Sequence, residues 1–301
     1  MDDIHLIHES GTRARIAPDS GFCCLSWQVD GGEYLHLPVP EAEFRSKPKT
    51  GGVPLLYPYA NRLRTDPWPD HPEVKRDQDL PCHGFLLRFG DWDDLRVDST
   101  RASACLDWSA HEDLMTLFPH AHRLEVSFEV GPRSLRVKTL VEADGDDEVP
   151  ISFGWHPYLT LPGLGHDDLA LRVPPLEHVR LDARGLPIRD GSGQLILEPA
   201  DDVDGSLEGR TFDDLYRPTV DEPCLLLGGD AGIEVRLDDN WRFLQLYSPE
   251  GGPFACIEPM TAAVAALSDG RDHPTLAPGE RFEAGFELSV LGPGNEGVRL
   301  S

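Results

Sequence analysis

Glycine and proline punctuate this chain so densely that regular structure has room only in short pieces: 29 glycines and 27 prolines are scattered through 301 residues without a period. Glycine opens turns of positive φ and proline removes a backbone donor, so the segments between them read as short strands joined by tight turns. Alternating residues at 4–9 and 12–17, around Glu9-Ser10-Gly11, predict a hairpin. Residues 21–29, followed by Asp30-Gly31-Gly32, predict another strand and its turn. The same alternation predicts strands at 35–40, 93–107, 120–130, 135–143, 151–154, 169–173, 179–182, 194–198, 223–227 and 282–291. Residues 41–50 and 65–80 read as polar connections, 233–237 and 243–247 as a strand pair across Asp238-Asp239-Asn240, and 111–118 as one or two helical turns. No repeat, linker or low-complexity tract divides the chain. The expected fold class is all-β: a large β-sandwich with few short helices, one domain over residues 1–301.

The formal charge of −26 opposes binding to nucleic acid or to an anionic membrane surface. No apolar run reaches the ~18 residues a membrane span needs. The acidic start, Met1-Asp2-Asp3, carries no secretory signal pattern. The cysteines at 23, 24, 82, 105, 224 and 256 show no CxxC spacing and read as small buried hydrophobes of a reducing compartment. A cytoplasmic protein is expected.

The candidate chemistry is spread along the chain. In Phe153-Gly154-Trp155-His156-Pro157-Tyr158, the proline stiffens the backbone beside an imidazole flanked by aromatics, a setting for a proton donor or for an idle buried histidine. Asn61-Arg62, with Arg64 close behind, ends an apolar, proline-broken run and offers a planar guanidinium to hydroxyl groups or to a carboxylate. His83-Gly84 supplies a second ring. Glu258 ends the apolar run Phe254-Ala255-Cys256-Ile257, where desolvation raises a carboxyl's proton affinity and makes a candidate base. Asp213-Asp214 lies between Phe212 and Tyr216. His111, His120 and His122 with Glu112 do not make a convincing metal site, because Pro119 breaks any helix that would align them. No metal or other cofactor is expected.

Taken in order, Asn61-Arg62, His83-Gly84, His156-Pro157-Tyr158, Phe212-Asp213, Gln245-Leu246-Tyr247, Ile257-Glu258-Pro259 and Leu276-Ala277-Pro278-Gly279-Glu280 resemble the aldose 1-epimerase (mutarotase) superfamily. The similarity runs from about residue 10 to residue 290. It implies a galactose mutarotase-like supersandwich with a sugar site on a concave sheet face, and interconversion of the α and β anomers of a free hexose. It further implies that His156 is the general acid, Glu258 the general base and His83 the second active-site histidine, while Asn61, Arg62, Asp213 and Gln245 hold the sugar. Phe85 stands where a second glycine often follows His-Gly, Leu159 where an aromatic often follows the tyrosine, and Asp214 where a histidine often follows the aspartate. These departures lean toward a broad branch of the superfamily and toward hexose-6-phosphate 1-epimerase-like members, and leave Asp213 and Asp214 both open as the sugar-binding carboxylate, with Phe212 favouring Asp213. A phosphosugar would call on Arg62, Arg64 and Arg88, which the net charge disfavours. A non-catalytic sugar-binding module would not need both His156 and Glu258.

Overall fold

The computed structural model describes residues 1–47, 49–68, 71 and 74–292. Two large antiparallel sheets form its body. One has the strand order Gly205–Ser206, Ala170–Arg172, Cys224–Gly228, Ala231–Leu237, Arg281–Leu291, Ser134–Ala143, His122–Val130, Arg101–Asp107, Asp94–Val97. The other runs Leu197–Pro199, Leu176–Val179, Phe212–Pro218, Phe243–Ser248, Ala255–Met260, Gly154–Trp155, Leu55–Leu56, with Tyr158–Leu159 also paired to Ala255–Met260. Among the described residues the α-helices are Glu41–Ser46, Glu112–Leu117 and Ala266–Asp269. The fold is all-β, as its punctuation requires.

Alternation decides which faces meet. In Ser134–Ala143 the residues Leu135, Val137, Thr139, Val141 and Ala143 are buried, while their neighbours reach outward. Across the layer they meet Leu244, Leu246 and Ile257 of the second sheet in one continuous core. Each of the leucine, isoleucine and valine side chains among them contributes about 1.5–3 kcal/mol by leaving water. Trp155 crosses between the layers: its ring abuts Phe128 and Phe286, and its Nε1 donates to Thr139 Oγ1 at 2.9 Å. The indole therefore anchors the segment that carries His156 to the opposite sheet.

The hairpin Ile4–Ile7 with Arg13–Ala17 forms as expected, and so does the strand Cys23–Val29. Other segments differ. Residues 35–40 are not a strand; only Leu35 bridges, to Leu159, because Pro38 and Pro40 lack donors. The polar connection after them contains the helix Glu41–Ser46. The strand expected at 179–182 lies instead at Leu176–Val179, and the acidic pair Asp213-Asp214 sits inside the strand Phe212–Pro218. Residues 233–237 and 243–247 are both extended but do not pair with each other. Ala231–Leu237 belongs to the first sheet and Phe243–Ser248 to the second. Trp241, wedged against Phe153 and Phe286, drives that crossing.

Candidate active site

Three neighbouring strands lay the floor of one pocket. Register pairs Leu215 with Gln245 and Gln245 with Glu258, and pairs Asp213 with Tyr247 and Tyr247 with Cys256. Side chains two residues apart share a face, so Asp213, Gln245, Tyr247 and Glu258 all rise from the same side of the sheet. Asp214 is paired with Leu246, on the side of the core, and its carboxylate meets His178 Nε2 at 3.1 Å. Strand parity separates the two aspartates: Asp213 lines the pocket and Asp214 does not.

His156 enters from the edge of this floor. Gly154 pairs with both Leu56 and Met260, where a Cβ would meet Pro259 O at 2.8 Å, so only glycine fits. The His156 N–H donates to the Pro54 carbonyl at 3.1 Å, and Pro157 needs no acceptor. The ring stacks on Tyr158 at 4.6 Å between centroids, and the Tyr158 hydroxyl is 2.7 Å from Thr50 Oγ1. His156 Nε2 lies 3.2 Å from Glu258 Oε1. The two groups are 6% and 2% exposed, so an imidazole and a carboxyl stand together in a nearly dry place.

Loops supply the walls. His83 has φ +68 and its ring meets that of His156 edge-on at 5.5 Å. Gly84 follows at φ +67, where an added Cβ would fall within 3.0 Å of Tyr57 backbone atoms. Gly84→Ala is therefore expected to cost about 3 kcal/mol or more. Urea denaturation at neutral pH reads that loss directly. Asn61, at φ +55, turns its Oδ1 to accept from the Arg62 N–H at 2.8 Å and from Nη1 at 3.2 Å. Arg62 also pairs with Asp77 and lies 3.9 Å from Asp213, which accepts from Gln245 Nε2 at 2.8 Å.

Burial governs the proton affinities. Desolvation, reinforced by the Lys75 cation, lowers His156 to about 3. The same causes, with His156 and Arg62 added, push His83 well below the ordinary imidazole value. Desolvation and the nearby Asp213 raise Glu258 well above the usual carboxyl range, against the pull of Lys75 and Arg62. Asp213 is raised too, chiefly by desolvation. Arg62 Nε, His83 Nδ1, His156 Nδ1, Gln245 Oε1 and Glu258 Oε2 are buried without a hydrogen-bond partner among the described residues. Donors and acceptors gathered in this way suit a ligand carrying many hydroxyls, since each orphaned polar group is costly until it is paired.

All seven site residues expected from the sequence line this pocket: Asn61, Arg62, His83, His156, Asp213, Gln245 and Glu258. Arg64 and Arg88 do not. Arg64 pairs with Asp269 at 2.7 Å, and Arg88 lines a different cavity beside Phe89 and His111. His122 is buried against Trp108 and Tyr57, away from His111. Among the described residues no group of three or more His, Cys, Asp or Glu side chains is placed to hold a metal. Sequence reasoning overlooked Thr50, Lys75 and Asp77, and gave Tyr247 no role although it stood in one of the motifs. Tyr247 carried a usable signal, because it lies two residues beyond Gln245 on a strand. Lys75 and Asp77 did not, being polar residues in a polar loop.

The aldose 1-epimerase family model matches residues 2–289. The chain belongs to the aldose 1-epimerase family. Its fold is shared with solved structures of low sequence identity. A GalM/aldose epimerase homologue from C. elegans is 14% identical, with TM-score 0.77 over 97% of this chain and 99% of that one. A galactose mutarotase-like protein from Clostridium acetobutylicum is 18% identical, with TM-score 0.75 over 94% and 93%. A galactose 1-epimerase from Lactobacillus acidophilus NCFM is 18% identical, with TM-score 0.70 over 97% and 94%. Comparison with curated protein sequences gives no match. No helix among the described residues is long and apolar enough to cross a membrane.

Proposed function

We propose that the chain, acting as one domain, interconverts the α and β anomers of a free hexose, with Glu258 as general base and His156 as general acid. The observation that carries this reading is the 3.2 Å approach of His156 Nε2 to Glu258 Oε1 at the floor of a polar cavity of about 350 Å³. Anomer exchange moves protons at two oxygens bonded to the same carbon, so an acid and a base placed side by side match it. Glycoside hydrolysis by paired carboxylates sets the two groups ≈ 5 Å or more apart, with the scissile bond between them.

In the forward step Glu258 takes the proton of the C1 hydroxyl while His156 gives one to the ring oxygen. The bond from C1 to the ring oxygen breaks and a carbonyl forms at C1. Rotation about C1–C2 and reclosure on the other face return both protons to their starting groups. Desolvation favours a neutral imidazole beside a protonated carboxyl at rest, and the working form is the same pair with its proton moved to the ring. The two forms carry the same total charge, so their ratio does not change with pH. His83 and Asp213 border the pair, and Asn61, Arg62, Asp213 and Gln245 hold the hydroxyls.

The structure favours a free hexose over a 6-phosphate. Of the arginines a phosphate would recruit, Arg64 and Arg88 lie outside the pocket, and Arg62 is already matched by Asp77 and Asp213. Polarimetry on freshly dissolved α-glucose and α-galactose, with exchange spectroscopy on glucose 6-phosphate, tests both points. Faster exchange of the free sugars is expected. Saturable binding with no acceleration would identify a binding module instead, and preference for the phosphate would overturn the substrate assignment. Arg62→Ala is expected to raise KM about 10- to 100-fold, the worth of hydrogen bonds to a charged group, with a smaller change in kcat.

A further inference from the structure

The pocket contains a charge that the scheme above leaves idle. Lys75 precedes the strand pair Arg76–Asp77 and Leu80–Pro81, whose turn residues Gln78 and Asp79 both have positive φ. Its carbonyl accepts from the Cys82 N–H at 2.8 Å, which ties it to the segment carrying His83. It lines the pocket together with His83, His156 and Glu258. The charges around it do not pair evenly. Arg62 is matched by Asp77 directly and by Asp213 at 3.9 Å, whereas Lys75 forms no ion pair with any described residue. Among the described residues lining the pocket, Glu258 is the one carboxyl that no arginine matches.

We propose that Lys75 is a positioning residue: its ammonium supports Glu258 as the carboxylate and opposes a proton on His156 and His83, so that the pair releases protons more readily. This rests on the acid–base reading above. A cation near a carboxylate favours its ionised form, and near an imidazole disfavours the imidazolium. Both effects run in one direction, toward a Glu258 able to take the C1 hydroxyl proton and a His156 that, once protonated, is a stronger acid. Other groups also face the pair. Asp213 from its strand raises Glu258, while Arg62 lowers it; His83, Tyr158, Tyr247, Cys82 and Cys256 complete the surroundings. A substitution at Lys75, whose side chain comes from a separate loop, leaves the Asp213, Arg62, Tyr158, Tyr247 and Cys256 side chains in place, while His83 and Cys82 feel the same lost charge.

The test compares Lys75→Met, which keeps much of the stem and loses the charge, with Lys75→Arg, which keeps the charge. In the sugar-free proteins, NMR titration follows the His156 ring and, with labelled glutamate, the Glu258 carboxyl. Lys75→Met is expected to move both titrations to higher pH by about one unit, equivalent to a tenfold change in each proton affinity. Lys75→Arg restores the positions of the unsubstituted protein. In the anomer-exchange assay, both limbs of the kcat/KM profile of Lys75→Met shift the same way, with KM for a neutral hexose changed less than about threefold. Unmoved titrations, or movement to lower pH, overturn the proposal. So does a large rise in KM with both limbs in place, which makes Lys75 a ligand for a hydroxyl. Because the titrations need no turnover, failure of the unsubstituted protein to catalyse exchange sinks the acid–base reading without deciding the role of Lys75.

Discussion

Glu258→Gln is expected to lower kcat/KM for anomer exchange by about 10²- to 10⁴-fold, the usual contribution of a well-placed base. The amide fills the same space and cannot accept a proton at working pH, so sugar binding changes far less than kcat. The same substitution is expected to make the protein more stable at neutral pH. A carboxyl whose folded proton affinity is raised, as burial raises Glu258, favours folding below its unfolded value and loses that contribution as pH rises through the folded value. Glutamine has no such loss. The stability difference between Glu258→Gln and the unsubstituted chain should therefore grow in favour of the variant as pH climbs above about 4.5, the unfolded carboxyl value. A gain of about 0.5–2 kcal/mol near neutrality is typical of relaxing a strained functional site. Chemical denaturation at several pH values, alongside polarimetry, checks both halves. Near-normal exchange by the variant removes Glu258 from the mechanism.

His156→Ala is expected to match that catalytic loss, again about 10²- to 10⁴-fold, through loss of the acid. Its effect on stability has the opposite pH dependence. A histidine held at about 3 when folded and near 6.5 when unfolded draws protons to the unfolded chain as pH falls. Stability is thus lost between about pH 6.5 and about 3, and the alanine variant escapes this share of the loss. At pH 7 it pays for a cavity beside Tyr158; on acidification its curve should be shallower than that of the parent. Urea midpoints at pH 7 and pH 4.5 separate the two effects. Parallel curves would show that the ring is not desolvated, and retained exchange would assign the acid elsewhere.

Much of the site was legible through short motifs in a fixed order, and only part of it through local chemistry. A glutamate closing the apolar run of residues 254–257 stands out by its cost of desolvation, whereas His156 beside Pro157 reads as a proton donor or an idle ring until the other motifs are set beside it. Asp213 and Asp214 could not be told apart by type, yet two-residue parity distinguishes them once the register against Gln245 and Glu258 is known. The strand pairing across Asp238-Asp239-Asn240 misled for a physical reason. Those residues favour a hairpin turn, but Trp241 buries its ring between the layers and donates its indole N–H to Gly285 O at 2.7 Å, sending the chain to the other sheet. Propensity acted over a few residues, and the layer contact outweighed it. Lys75 and Asp77 were hidden because a polar loop residue looks the same whether it faces solvent or a pocket.

The origins of the site residues divide in a way that bears on how such a protein can change over generations. Glu258 and Gln245 are held by the hydrogen-bond lattice of the sheet, and His156 is locked to the opposite layer through Trp155. A single inserted residue in these strands would turn Glu258 toward the core and bring Ile257 into the pocket. Arg62, Lys75 and His83 stand on loops, and Asp77 on the short strand pair with Leu80–Pro81, where insertion or exchange leaves the register of Gln245 and Glu258 untouched. On this plan, a change in one loop reshapes a wall of the pocket while the placement of His156 against Glu258 stays as the sheets set it.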